Sequence, residues 1–361
     1  MPKNTETLIL SHRDIEKIVL HFGLNYLMDQ LIEKMIHAFQ SYDEEQTIIP
    51  VRSGFHYQQP VEGLVEWMPI HQLGRQVLVK TVGYHPKNPA ELGLPTIVST
   101  IATYDTRTGH LQSLVDGIFL TAFRTGAASA VASKYLADPE SSTLGLIGCG
   151  SQAVSQLHAL SRIFDFELVW YYDTDEQAMA TFPDRCSCLD LSTQFVPGDI
   201  AQIVGSAEII STATSIEIGA GPLFFECETL PHVHINAVGS DFPGKIEIPV
   251  ELLRRSFVCP DFLEQALVEG ECQQLEPADI APDIIEVIKN RNKYQDIRHQ
   301  RSIFDSTGLS LEDMVVTELF LDCAQQLNLG TPIEIENHSE DALNPYHFLQ
   351  KHAPVSGAAA K

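Results

Sequence analysis

Leu144-Gly-Leu-Ile-Gly148-Cys-Gly150-Ser-Gln-Ala153 decides the fold class of this chain. A short apolar run enters Gly-x-Gly-x-x-Ala, and a helical segment to about Phe164 follows, the order that a dinucleotide-binding βαβ unit requires. Gly148 makes the tight turn out of the strand, Gly150 lets the backbone approach a pyrophosphate, and Ala153 keeps the helix close to the sheet. The helix then aims its first N–H groups and its positive dipole end at the phosphates. Glu167-Leu-Val-Trp-Tyr-Tyr-Asp173 reads as the next strand and ends in an acid at the fingerprint's spacing. A carboxylate there accepts from ribose hydroxyls and repels a 2′-phosphate, which favours NAD over NADP. Asp173-Thr-Asp175 also reads as a helix N-cap, and the two uses are compatible.

Working outward, 361 residues suffice for two domains of ordinary size. A net charge of −25, from 23 Lys and Arg against 48 Asp and Glu, argues against nucleic acid or an anionic membrane as partner. No apolar run has membrane-spanning length, and Met1-Pro-Lys-Asn-Thr-Glu lacks the layout of a signal peptide, so a cytoplasmic protein is expected. Seven scattered cysteines fit reduced thiols better than a disulfide framework. Cys186-Ser-Cys188 is the only close pair and lacks histidine ligands nearby, so no metal site is expected. Cys149 reads as a small space-filler.

Residues 8 to about 45 read as helices, opened by the capping box Ser11-x-x-Asp14. Strand patterns follow at 47–51, 64–68, 76–83, 96–104 and 111–115, with Asp105-Thr-Arg-Thr-Gly109 as a hairpin turn. A small-residue helix spans about 121–136. From Leu144 to about Ser306, strands at 168–172, 208–213, 232–238, 257–259 and 302–304 alternate with helices, as in a parallel sheet. The tail from Ser310 is helical, then irregular, and its last four residues, Ala-Ala-Ala-Lys361, read as disordered. The fold expected is α/β: a Rossmann domain over 125–306, and an α+β domain from 1–124 with 307–361.

Some charges fall where a packed strand does not want them. Lys80 shares a face with Leu78 and Val82, and Glu66 with Leu64 and Met68. A charge on an apolar face must be paired or used: either both faces of these strands are mixed, or Lys80 and Glu66 pair with each other, or they serve a ligand. Arg52 and Arg124 are similar cases, and two arginines with a lysine suit a small carboxylate. His234-Ile-Asn-Ala-Val-Gly239-Ser-Asp241 reads as a buried strand emptying at the sheet's carboxyl edge, where α/β folds bind ligands. Asp241 there is either an acid–base group or an Asx-turn residue ahead of Pro243.

Together with Arg124-Thr-Gly-Ala-Ala-Ser129, Glu271-Cys-Gln-Gln-Leu275 and Phe304-Asp-Ser-Thr-Gly308, these segments make the chain resemble the ornithine cyclodeaminase/μ-crystallin family from about Ile9 to about Tyr346. Glu66-Trp-Met-Pro69, Lys80-Thr-Val-Gly-Tyr-His-Pro86 and the Gly-x-Asp-x-Pro-Gly-Lys form around Asp241 are similar to the ornithine and lysine cyclodeaminase branch. The resemblance implies that Arg52, Lys80, Arg124 and Thr307 hold a substrate carboxylate, with Glu66 and Asp241 catalytic and Asp241 the acid–base. It places Thr96, Arg124, Gly148, Gly150, Ser151, Gln152, Asp173, Thr214, Val238, Gly239, Lys245 and Ser306 along bound NAD. It implies conversion of L-ornithine to L-proline, or L-lysine to L-pipecolate, with ammonia released and the hydride passed to and from one NAD. A homodimer built on the non-Rossmann sheet is implied too. An alanine dehydrogenase or cyclic-ketimine reductase on the same scaffold stays open, as does a non-catalytic nucleotide binder of the μ-crystallin type. Ornithine and lysine differ by one methylene, worth only about 1–3 kcal/mol in a pocket, and no residue reports the choice.

Overall fold

The computed structural model describes residues 6–225 and 228–351, so the reading of Ala-Ala-Ala-Lys361 as disordered falls outside the described residues. Fifteen strands form two sheets among them. In chain order they are β1 (Thr7–Leu10), β2 (Thr47–Ile48), β3 (Ser53–Tyr57), β4 (Gly63–Gln72), β5 (Gln76–Tyr84), β6 (Ile97–Asp105), β7 (Leu111–Asp116), β8 (Thr143–Ile147), β9 (Leu168–Tyr172), β10 (Gln194–Pro197), β11 (Ile209–Thr212), β12 (His234–Ala237), β13 (Phe257–Pro260), β14 (Ser302–Asp305) and β15 (Thr331–Ile333).

The first sheet runs β15-β1-β7-β6-β5-β4-β2, with β3 also on β4. All its pairings are antiparallel except β1 with β7. Strand periodicity gives it two faces. Leu64, Met68, Ile70, Leu78, Val82, Ile101 and Val115 point to one face and are buried. Helices His12–Phe22, Leu24–Gln40, Ile118–Leu136 and Ser310–Leu327 belong to the same core. The opposite face carries Val65, Trp67, Val79, Ala102 and Leu114, all half-buried, beside exposed Val98.

The second sheet is wholly parallel, in the order β10-β9-β8-β11-β12-β14-β13. The order reverses between β8 and β11, and ligands of open α/β sheets bind outside the strand ends at such a point. Helix 118–136 joins the two sheets and is buried almost throughout. Its small residues permit this: a Cβ on Gly126 would lie 2.3 Å from the Ser155 carbonyl oxygen of helix Ser151–Leu160. A domain boundary at 124/125 therefore falls inside one continuous helix.

Several local expectations need correction. The run at 8–10 is not helical: Thr7–Leu10 is a strand, and the helix starts after Ser11, whose capping box with Asp14 is present. Four apolar residues carry no period that separates strand from helix. The strand expected at 47–51 stops at Ile48, before Pro50, and a separate strand begins at Ser53. β3, β10 and β15 are absent from the sequence reading. β10 and β15 are short edge strands containing proline, and β3 is mostly exposed, so none shows a clean apolar alternation.

Candidate active site

A cleft of about 640 Å³ opens at the switch point, between the carboxyl edge of the parallel sheet and the buried face of the first sheet. Its wall includes Arg52, Glu66, Lys80, Thr96, Arg124, Gly148, Gly150, Ser151, Gln152, Asp173, Thr214, Val238, Gly239, Asp241, Ser306 and Thr307. Of the residues expected at the site, Lys245 alone is not on the wall. It is buried, and its Nζ donates to Asp241 Oδ1 at 2.6 Å while lying 4.8 Å over the Tyr84 ring. Burial opposes its charge, but the Asp241 carboxylate prevails and holds the ammonium above its ordinary pKa.

One bank of the cleft is mostly backbone. Gly148 has φ +98°, and a Cβ there would sit 2.6 Å from the Ala213 carbonyl oxygen; only glycine fits without strain. Gly150 has open space where its Cβ would be. Asp173 Oδ2 accepts from Cys149 N at 2.6 Å and thus ties the glycine loop to β9. The N-cap of helix Glu176–Arg185 is Asp175, which accepts from Gln177 N and Ala178 N, so the two acids divide the uses proposed for them. Cys149 is fully buried in the core, and burial pushes its thiol up to about 12. Glu247 accepts from Thr212 Oγ1, from the amide and hydroxyl of Thr214, and from Gly239 N, binding the ends of β11 and β12 together. Ser306 Oγ is buried without a hydrogen-bond partner among the described residues. A bare glycine, the first N–H groups of helix 151–160 and an unsatisfied hydroxyl suit a dinucleotide.

The facing bank is charged. Lys80 Nζ lies 2.8 and 2.7 Å from the two Asp313 oxygens. Arg124 Nη1 donates to Glu312 Oε2 at 2.6 Å, and its Nε is 3.2 Å from Asp313 Oδ1. Arg52 Nη2 pairs with Glu269 and donates to the Asp241 carbonyl oxygen at 3.0 Å, while Arg52 Nε is 3.7 Å from Glu66 Oε2. Lys80 and Glu66 do not pair with each other; each is claimed by a different partner. Burial, then the neighbouring Arg124, brings Lys80 down to about 8. Burial raises Glu66, against the pull of Arg52. Burial likewise pushes Glu269 and Glu312 up to about 8, against Arg52 and Arg124 respectively.

Thr307 Oγ1 donates to Asp261 Oδ1 at 2.8 Å and Gly308 N to Asp261 Oδ2 at 2.5 Å, which shapes the floor beside Arg124. Glu269, Glu312, Asp313, Glu247 and Asp261 escaped the sequence reading. The signal available was Leu311-Glu-Asp-Met-Val-Val316, two acids inside an apolar helical run; both are fully buried.

The ornithine cyclodeaminase/mu-crystallin family model matches residues 13–327. The L-lysine cyclodeaminase of Streptomyces rapamycinicus is 36% identical over 94% of this chain and 99% of that protein. A lysine cyclodeaminase solved to explain its recognition of L-lysine, L-ornithine and L-2,4-diaminobutyric acid superposes with a TM-score of 0.91 at 43% identity, covering 95% of this chain and 99% of that one. An archaeal alanine dehydrogenase dimer with bound NAD has a TM-score of 0.80 at 31% identity, covering 92% and 100%.

Proposed function

The chain belongs to the ornithine cyclodeaminase/mu-crystallin family, and from that premise we propose that it is an NAD-dependent amino-acid cyclodeaminase. Its substrate is a terminal diamino acid, L-ornithine or L-lysine, and its products are the ring imino acid, L-proline or L-pipecolate, and ammonia. The observation carrying this reading is the facing of the two banks: Arg52, Lys80, Arg124, Glu66 and Asp241 share one cleft with the glycine loop.

Three cations and several carboxylates match a substrate with one carboxylate and two amino groups. Arg52, Lys80 and Arg124 hold the substrate carboxylate, the arginines through their planar forks; Thr307 borders them. Glu66 and Asp241 take the ammonium side, and Asp241 moves protons between the two nitrogens, its side chain fixed by Lys245. Thr96, Gly148, Gly150, Ser151, Gln152, Asp173, Thr214, Val238, Gly239 and Ser306 hold the dinucleotide, with Arg124 between it and the substrate. When bound, NAD supplies the redox chemistry, accepting a hydride from Cα and returning it to the ring. The cleft folds the chain so that the distal amine reaches Cα, and an intramolecular attack of this kind carries a large entropic advantage.

The reading extends to the whole molecule. Residues 125–306 form the nucleotide domain, and 1–124 with 307–361 the substrate and dimerisation domain. The homodimer is built on the half-buried face around Trp67, Val79 and Val98, too apolar to be left bare. A cytoplasmic location accords with free thiols at Cys149, Cys186, Cys259, Cys272 and Cys323, all buried. No helix among the described residues is long and apolar enough to cross a membrane.

Product analysis tests the activity. With catalytic NAD and a mixture of L-ornithine and L-lysine, we expect a ring imino acid with equimolar ammonia and no accumulating NADH. Net NADH production from alanine, without a ring product, would move the assignment to a dehydrogenase. NADH-driven reduction of cyclic imines alone would move it to a ketimine reductase.

A further inference from the structure

Away from the cleft, three side chains from distant parts of the chain meet at the edge of the first sheet. His110 stands just before β7, and Glu336 and His338 follow β15. The pairing of β15 with β1 and of β1 with β7 brings these segments together. One ligand atom from each residue lies within 4.8 Å of the others.

The hydrogen bonds restrict what can join them. His110 Nε2 lies 3.3 Å from the Glu6 carbonyl oxygen. A carbonyl only accepts, so Nε2 carries the hydrogen. His110 Nδ1 is then turned to Glu336 Oε2, and His338 Nε2 approaches that same oxygen at 3.3 Å. Two imidazole nitrogens facing one carboxylate oxygen need a hydrogen on each nitrogen, or a shared cation. The other oxygen, Glu336 Oε1, accepts from Leu111 N at 3.1 Å. His110 and Glu336 thus each have an outer partner that orients them, as metal ligands usually do. His110 is buried, while the side chains of Glu336 and His338 are 34% and 32% exposed, which leaves an entry path for an ion.

We propose that His110, Glu336 and His338 form a zinc(II) site that clips the segment after β15 to the start of β7. Two imidazoles and a carboxylate are a fitting donor set for zinc, with water completing four-coordination. Three protein ligands leave the ion exchangeable, so the clip fastens and releases with zinc supply. The site shares no residue with the cleft and holds whether or not the cyclodeaminase reading does.

The untagged full-length protein, stripped with a chelator and dialysed, is titrated with zinc sulfate by calorimetry, and the retained metal is counted by mass spectrometry. We expect one zinc per chain, with affinity at least about tenfold weaker in His338→Ala and in Glu336→Gln. Zinc should also slow proteolysis between residues 334 and 346 in the parent protein and not in the variants. No zinc above background in the parent overturns the site and leaves imidazole–carboxylate hydrogen bonds alone. Equal binding by parent and variants overturns it too, by placing the ion elsewhere.

Discussion

The two banks of the cleft bury their polar groups by opposite means. The nucleotide bank presents backbone, glycine and hydroxyl, and the two histidines buried in the helix and sheet behind it are kept neutral. His158 on helix 151–160 is brought down to about 4 and His234 on β12 to about 3, both chiefly by burial. The substrate bank sets a carboxyl group beside each cation: Lys80 with Asp313, Arg124 with Glu312, Arg52 with Glu269, with burial working against the charge of Lys80, Glu312 and Glu269. The glycine loop of the first bank can therefore be written in one short stretch of chain, since backbone geometry is local. The second must be assembled across more than two hundred residues, since a buried charge is tolerable only beside its partner.

Asp241→Asn gives the sharpest separation. The amide still accepts from Lys245 but cannot move a proton, so kcat should fall about 10²- to 10⁴-fold. NAD affinity, measured by fluorescence titration, should not change. A matching loss of NAD affinity would mean that the banks are not separable.

Lys80→Met comes next and tests the pairing itself. It leaves a buried carboxylate without its ammonium, which should cost about 3–5 kcal/mol in urea unfolding. Adding Asp313→Asn should recover part of this, although Arg124 still lies beside that position. A cost below about 1 kcal/mol would say that Lys80 behaves as a surface ion.

These pairs also mark where the sequence stops being informative. The glycine fingerprint, Asp173 and the parallel sheet were legible because each rests on spacing within a few turns of chain. Lys80 and Glu66 stood out as misplaced charges, yet nothing local pointed to Asp313 or Arg52 as their partners. Glu269 and Asp261 sit in loops with no pattern at all, and His110 lies 226 residues from Glu336. Only the fold brings such groups together.

The neutral histidines predict how the nucleotide side responds to acid. His158 Nε2 donates to Asn25 Oδ1 at 2.9 Å, and its folded pKa of about 4 lies below the ordinary 6.5. Between these values the unfolded chain binds more protons, so stability rises with pH and is lost on acidification below about 6.5. At pH 5 the loss from this residue is about 2 kcal/mol. His158→Gln, which can still donate to Asn25, should show a shallower fall in Tm between pH 7 and 5. An unchanged slope would assign the acid sensitivity to other groups, His234 among them.

The smallest effect concerns the acid of the nucleotide bank that lines the cleft. Asp173 faces the cleft and also accepts from Cys149 N and Asp175 N, so its charge and its hydrogen bonds must be tested apart. Asp173→Asn keeps an oxygen for the loop amide and removes the charge that repels a 2′-phosphate. The ratio of NADP to NAD affinity should rise on the order of tenfold, about 1.4 kcal/mol, with kcat at saturating cofactor and the substrate KM unchanged. Asp173→Ala should instead weaken both nucleotides, because the glycine loop loses its anchor on β9. If the asparagine variant behaves like the alanine one, the carboxylate serves to shape the loop and the choice of nucleotide lies with another wall residue. If only the asparagine variant admits NADP, charge on this bank is spent on selection, whereas charge on the facing bank is spent on holding the substrate.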